Sequence, residues 1–260
     1  LALGSDAAMG ANRAGDVKAI ENLALATGVF QLEVVDDRGP GETRVPANAQ
    51  PVMPTGHGEP TDPLEGASKA ERRAWSKKNQ AKPVRVWSST NVRYLLGQGR
   101  IKDADAILGH PHAVEGIVVH GEERGRTIGF PTANLSDNVA GYLPVDGVYA
   151  GWLVDLGSKT AESDHAGAAS DGISQQFDSS SVDARLADHS PYRWPAAISI
   201  GTKPTFNEAT RMNDRVVEAY AITDDWLDLY DHQVRVEFTG FLRPQIKFDS
   251  AQDLIDELKR

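Results

Sequence analysis

Four apolar runs occupy the second half of the chain, at residues 147–156, 195–201, 215–223 and 233–242. Each mixes or alternates apolar residues with polar ones and is rich in β-branched side chains, which is the pattern of a strand. Strand–helix alternation is missing from this half, so a parallel βαβ sheet is excluded. Such strands pair antiparallel, and they hide their apolar faces either in a closed barrel or in a sandwich. A fifth run, Val114 to Val119, precedes them. The second half is therefore expected to be mainly β.

The fifth run opens the most chemically specific stretch, VEGIVVHGEERGRTIGFPTANL at residues 114–135. Its glycines, Gly121 among them, let backbone N–H groups approach a phosphate, and Arg126 can pair with that charge. Thr132 and Asn134 are two residues apart and share a face if the segment is extended. Both present oxygens to a hard cation such as Mg²⁺. A polar hairpin with glycines at its turn and no ligand has the same composition. The Walker A pattern G-x-x-x-x-G-K-[ST] occurs nowhere in the chain. On another strand, Glu218 lies mid-run in Val216-Val217-Glu218-Ala219-Tyr220. A carboxylate so placed either faces solvent from a half-exposed sheet or does chemistry.

Composition narrows the class. The chain has 260 residues, 40% apolar and 25% charged, as in ordinary globular proteins. A net charge of −10 argues against nucleic acid or an anionic membrane as the main partner. The absence of cysteine excludes disulfides and thiolate metal sites and fits a reducing cytoplasm. No run reaches the ~20 apolar residues of a membrane span. The first residues, LALGSDAAMG, carry neither a signal-peptide pattern nor an initiator Met and read as an interior start.

Residues 1–37 read as part of an α/β unit: a strand end at Leu1 to Gly4, a helix over Asp16 to Ala26 and a strand over Phe30 to Val35. Six prolines between Pro40 and Pro63 mark an insertion at 38–83 expected to lack regular structure. It includes the basic stretch KAERRAWSKKNQAK (Lys69 to Lys82), which suits either a nucleotide or RNA contact or a solvated face. Helices are expected over Asn91 to Leu96 and over Lys102 to Leu108, the second stopped by Gly109. Residues 157–192, rich in Ser, Asp, Ala and Gly, read as a long mobile loop. A final helix is capped by Ser250 and Asp253, with Leu254, Ile255 and Leu258 on its apolar face.

The spacing G-x(4)-R-x-x-G-F-P-T-A-N-L resembles the ATP and Mg²⁺ loop of riboflavin kinases, in particular the kinase module of bacterial bifunctional riboflavin kinase/FAD synthetases. The resemblance implies a Greek-key antiparallel β-barrel with a C-terminal helix over 109–260, and transfer of the ATP γ-phosphate to the 5′-hydroxyl of riboflavin. Glu218, in a V-E-x-[HY]-like strand, matches the general base. Gly121 and Arg126 match nucleotide-binding positions, and Thr132 and Asn134 the Mg²⁺ and ATP pair. Gly201 to Phe206 (GTKPTF) matches a turn before the catalytic strand. Asp228-Leu229-Tyr230 matches a turn whose Tyr lies on the adenine side. Leu242-Arg243-Pro244 and Phe248-Asp249-Ser250 match a segment that touches the flavin through Arg243 and Phe248. The implied small molecules are ATP with Mg²⁺, riboflavin and FMN.

Upstream, Ser88-Ser89-Thr90-Asn91-Val92-Arg93 resembles the I-S-S-T-x-x-R motif of the FMN adenylyltransferase module that precedes the kinase in bifunctional enzymes. Ser88, Ser89, Thr90 and Arg93 are then a nucleotide site at a helix N-terminus, although S-S-T is also an ordinary N-cap. Gly4-Ser5-Asp6-Ala7-Ala8-Met9-Gly10 matches that module's G-x-D-F-x-F-G without its aromatics. The module's H-x-G-H motif is absent. Residues 1–108 are accordingly read as a partial α/β nucleotidyltransferase-like segment, and the chain is expected to make FMN and not FAD. The other readings are a bifunctional enzyme whose adenylyltransferase half is incomplete here, and a non-catalytic flavin- or nucleotide-binding barrel.

Overall fold

The computed structural model describes residues 1–36, 39–120, 132–158, 180–202 and 215–246. The chain divides into two compact units, Leu1–Glu42 and Thr43–Arg260. In the first, strands β1 (Ala2–Gly4) and β4 (Glu33–Val35) pair in parallel, and helix α1 (Val17–Thr27) connects them. The Asp16 carboxylate caps α1 by accepting the Ala19 N–H at 2.8 Å. Strands β2 (Ala8–Met9) and β3 (Gly15–Asp16) form a small antiparallel pair. The expected strand from Phe30 is shortened to three residues.

In the second unit, strand β5 (Glu42–Val45) pairs with β6 (Lys82–Arg85). Between them runs helix α2 (Lys69–Lys78). The stretch at 38–83, expected to be irregular, thus carries a helix and a strand pair. The helix falls in the gap between Pro63 and Pro83. Its start is fixed by a capping box: Ser68 Oγ accepts the Glu71 N–H at 3.3 Å, and Glu71 accepts the Ser68 N–H at 2.7 Å. Helices α3 (Ser89–Gly97) and α4 (Ile101–Leu108) follow, and α4 ends at Gly109 in the left-handed conformation, φ 77°.

Six strands then close a barrel: β7 (His112–Val119), β8 (Ala133–Leu135), β9 (Gly147–Ser158), β10 (Arg193–Thr202), β11 (Arg215–Ala221) and β12 (His232–Arg243). All pairings are antiparallel, in the cyclic order β10-β11-β8-β7-β12-β9. Strands β9, β10 and β11 are successive neighbours, and β12 returns to lie beside β9, which is a Greek key. Between the barrel-or-sandwich alternatives, the fold is therefore the closed one. Part of the expected loop at 157–192 is regular: β9 runs through Ser158, and helix α5 spans Ser180–Leu186. The expected C-terminal helix lies outside the described residues.

The barrel closes because every strand turns alternate residues inward. Val114 and Val118, Leu153, Ile198 and Ile200, Val217 and Ala219, and Val234 and Val236 are all buried. Phe238 packs edge-on to Tyr149 at 5.3 Å between ring centroids and stacks on His112 at 5.9 Å. Burial holds the His112 imidazole below its usual pKa; Nε2 meets the Tyr142 carbonyl at 2.7 Å. Val92, Leu95 and Leu96 of α3 and Ile101 and Ala104 of α4 join the same core.

Candidate active site

The strand register brings the polar residues of the site together. Asn134 on β8 is the Cα partner of Val119 on β7 and of Glu218 on β11. Glu218 is the partner of Ser199 on β10, and Ser199 that of Val148 on β9. Val148 in turn pairs with Arg243 on β12. One continuous row, Val119-Asn134-Glu218-Ser199-Val148-Arg243, thus crosses all six strands. Its members lie on the outer face, since each of the inner four is flanked by buried neighbours: Asn134 by Ala133 and Leu135, Glu218 by Val217 and Ala219, Ser199 by Ile198 and Ile200, Val148 by Gly147 and Tyr149. Glu218 therefore does not point into the core. The period of two that buries its neighbours puts it on the same face as Asn134.

Arg243 reaches the row through two irregularities in β12. The register with β9 shifts between Phe238 and Gly240 and again between Phe241 and Arg243. Each shift adds a residue and changes which side chains face out. The first turns Phe241 inward, where it packs edge-on to Tyr149 at 5.4 Å. The second returns Arg243 to the outer face beside Val148. With neighbouring strands about 4.8 Å apart, Glu218 and Arg243 are separated by three steps, roughly 14 Å along the surface.

Asn134 is held by its neighbour. Its Nδ2 donates to Thr132 Oγ1 at 3.3 Å and to the Thr132 carbonyl at 3.2 Å. The amide oxygen Oδ1 then remains as an acceptor on the face shared with Glu218. The end of the β10–β11 hairpin is fixed by one carboxylate. Asp146 takes Arg215 Nε at 2.7 Å and Thr202 Oγ1 at 3.3 Å, and Thr202 and Arg215 are themselves register partners. Tyr230 stands at the end of β7, stacked on His120 with ring centroids 3.8 Å apart.

The Ser88 to Arg93 motif is elsewhere, on α3. Ser88 is the N-cap: its Oγ accepts the Asn91 N–H at 3.2 Å and donates to the Arg85 carbonyl at 2.8 Å. Arg93 Nη2 donates to Ser89 Oγ at 3.2 Å. Thr90 follows in the first turn. These residues form a helix start outside the barrel row. Gly121, Arg126 and Phe248 lie outside the described residues, as does the GTKPTF turn beyond Thr202.

Two side chains of the site were not singled out from the sequence: Ser199, and Gln245, whose Nε2 lies 2.8 Å from Ser199 Oγ. A signal for Ser199 was present. It interrupts the apolar run Ala197-Ile198-Ser199-Ile200 as Glu218 interrupts its own.

Fold and row together define a small Greek-key barrel that carries a row of polar side chains on its outer face. The model of the Flavokinase family, described as riboflavin kinase, matches residues 108–260, and the chain belongs to that family. The bifunctional riboflavin kinase/FMN adenylyltransferase of Listeria monocytogenes is 30% identical over 173 residues, covering 66% of this chain and 43% of that protein. The Escherichia coli K12 protein of the same description is 32% identical over 179 residues, covering 68% and 44%. The chain thus spans less than half the length of these curated relatives. A solved structure described as a macrolide-efflux protein from Streptococcus pneumoniae aligns with 98% of this chain and 56% of its own, with TM-score 0.52 and 24% identity, a likeness of fold. Among the described residues, no helix is long and apolar enough to cross a membrane.

Proposed function

We propose that this chain is a riboflavin kinase, moving the γ-phosphate of ATP to the 5′-hydroxyl of riboflavin to give FMN and ADP. One observation carries the reading: Glu218 and Asn134, on different strands, are direct register partners on one outer face. Glu218 accepts the proton of the ribityl 5′-hydroxyl as its oxygen bonds to the γ-phosphorus and the bond from phosphorus to the ADP oxygen breaks. A carboxylate is a weak base near neutral pH, so orientation supplies most of the acceleration. Thr132 Oγ1 and Asn134 Oδ1 are neutral oxygen donors beside a carboxylate, a set that fits a hard cation. Bound there with ATP, Mg²⁺ supplies charge neutralisation on the phosphates. Gly121 and Arg126 are assigned to the phosphates, Tyr230 to the adenine side, and Arg243 and Phe248 to the flavin.

The test is to incubate the chain with riboflavin, ATP and Mg²⁺ and separate riboflavin, FMN and FAD. FMN alone is expected, and chelation of the metal should stop its formation. Glu218→Gln should lower kcat by about 10²–10⁴-fold, the usual worth of a positioned base. Wild-type turnover in that variant would remove Glu218 from the role.

A second reading, one half of a bifunctional enzyme, is favoured by the parallel β1–α1–β4 unit and by the hydroxyls of Ser88, Ser89 and Thr90 with Arg93 at the start of α3. Residues 1–108 are then the adenylyltransferase-like part and 109–260 the kinase. No H-x-G-H motif occurs in these 260 residues, so FAD is not expected from this chain alone. We place the protein in the cytoplasm, with small-molecule substrates and neither nucleic acid nor membrane as partner.

A further inference from the structure

We propose that the segment 51–63, PVMPTGHGEPTDP, is a strap whose Gly58 and Glu59 set the end of β12 and so aim Arg243 at the flavin. The inference rests on the assignment of Arg243 to the flavin. The segment lies upstream of residues 108–260, which match the family. It is fastened first to the helices. The Val52 N–H donates to the Gly97 carbonyl at 2.8 Å, and Gln98 Nε2 donates to the Gln50 carbonyl at 3.3 Å. Glu59 Oε1 accepts the Lys102 N–H at 2.6 Å, in the first turn of α4. The Asp62 carboxylate lies 3.5 Å from Arg100 Nη2. Gly99, at φ 74°, lets Pro54 and Phe241 close on the turn between α3 and α4. A Cβ there would lie 2.9 Å from Pro54 Cγ and 3.4 Å from Phe241 Cδ2.

Where the strap meets β12 gives it a role beyond packing. Pairing of β12 with β7 ends at Phe238. The two register shifts against β9 follow at once, and they turn Phe241 inward and Arg243 outward. Leu242 is the residue that the second shift adds, so it has no register partner on β9. Its carbonyl accepts the Gly58 N–H at 2.7 Å. The next strap residue, Glu59, lies over the first shift: a Cβ on Gly240 would stand 3.7 Å from its Oε2. Adjacent strap residues thus hold both irregularities, and the second one decides which face Arg243 takes. Glu59 ties them in turn to the start of α4.

The experiment is steady-state FMN formation by the full chain, with riboflavin and ATP varied separately. Arg243→Ala should raise KM for riboflavin by about 10–100-fold, the worth of a hydrogen bond to a charged group. Glu59→Ala leaves Arg243 in place but loosely aimed and should raise it by about 3–10-fold, with kcat and KM for ATP little changed. Glu59→Gln still accepts the Lys102 N–H and should stay near wild type. Gly58→Ala meets no atom within 4 Å, yet its φ of 81° strains any side chain. It should displace the N–H through the backbone alone, raise the same KM, and carry the test if Glu59→Ala folds poorly. In the Arg243→Ala background, Glu59→Ala should add nothing, a coupling that a purely structural role would not produce. A raised riboflavin KM in Arg243→Ala, with neither Glu59→Ala nor Gly58→Ala moving it, overturns the strap alone. So does an equal effect of Glu59→Ala in both backgrounds. An unmoved riboflavin KM in Arg243→Ala overturns the flavin assignment, and the strap's role with it.

Discussion

Barrel closure is most exposed to test at Gly151. This residue sits mid-β9, with Ala196 of β10 and Phe238 of β12 as its partners. A Cβ added there would lie 1.9 Å from the Glu237 carbonyl oxygen and 2.5 Å from Ile198 Cδ1. The first of these atoms is backbone and has no rotamer to change. To reach an ordinary contact, β9 and β12 must separate by more than an ångström beside Phe238, which is fully buried. Overpacking of this kind costs about 1–3 kcal/mol. Stretching two ladder hydrogen bonds adds about 0.5–1.5 kcal/mol each. Gly151→Ala should therefore destabilise the barrel by roughly 2–6 kcal/mol. At about 2–4 °C per kcal/mol for a domain of this size, the melting midpoint should drop by roughly 4–24 °C. Gly116→Ala is the control. Its Cβ would meet only the Leu135 side chain, at 3.2 Å from Cδ2, and that side chain can turn away for about 1 kcal/mol or less. Thermal and urea unfolding of both variants, followed by circular dichroism, reads the difference. A Gly151→Ala protein melting within 2 °C or so of wild type would refute the close approach of the strands.

Two further outcomes follow from charged groups. Burial raises the Asp105 carboxyl to a pKa of about 6, although its Oδ1 accepts the His112 N–H at 2.7 Å. A raised folded-state pKa means that its contribution to stability is fullest below the unfolded value, about 3.9, and is lost as pH rises through about 6. Asp105→Asn, which can still accept that N–H, should gain on the wild type in melting temperature at pH 8 relative to pH 5; an equal difference at both would refute it. Asp146→Ala leaves the Arg215 guanidinium, 22% exposed, without its carboxylate. A loss of about 1–3 kcal/mol is expected in urea unfolding, with Asp146→Asn milder; an unchanged midpoint would show that the hairpin end is held by other contacts.

The strands of the barrel were legible because burial on one face imposes a period of two on their sequences. The run 147–156 became Gly147–Ser158, and 233–242 became His232–Arg243. Glu218 stood out for the same reason, as the one charge between Val216 and Ala221. The partnership of Glu218 with Asn134 was implied by resemblance and became concrete only through strand register, which depends on pairing between distant segments. The two shifts in β12 that return Arg243 to the outer face leave no local mark in Phe238-Thr239-Gly240-Phe241-Leu242 beyond a single glycine. Ser199 was readable in principle, yet its meaning depends on Gln245, 46 positions away. Helix α2 carried its S-x-x-E signal in plain view, and the surrounding prolines outweighed it.

The row that crosses all six strands has a consequence for the order of events in folding. Its first member is residue 119 and its last 243, and the row is incomplete until β12 pairs with β9. Contacts of such long sequence separation form late and slowly, because loop closure must be achieved before they return any stabilisation. Translation releases β7 and β8 before β9, so a nascent chain that has emerged through β11 carries every member of the row except Arg243. A ligand that reached along the row to Arg243 would then report only on a finished barrel. Ligands that bridge Asn134 and Arg243 would slow unfolding more than ligands confined to one hairpin, since they tie β8 to β12 across the barrel wall.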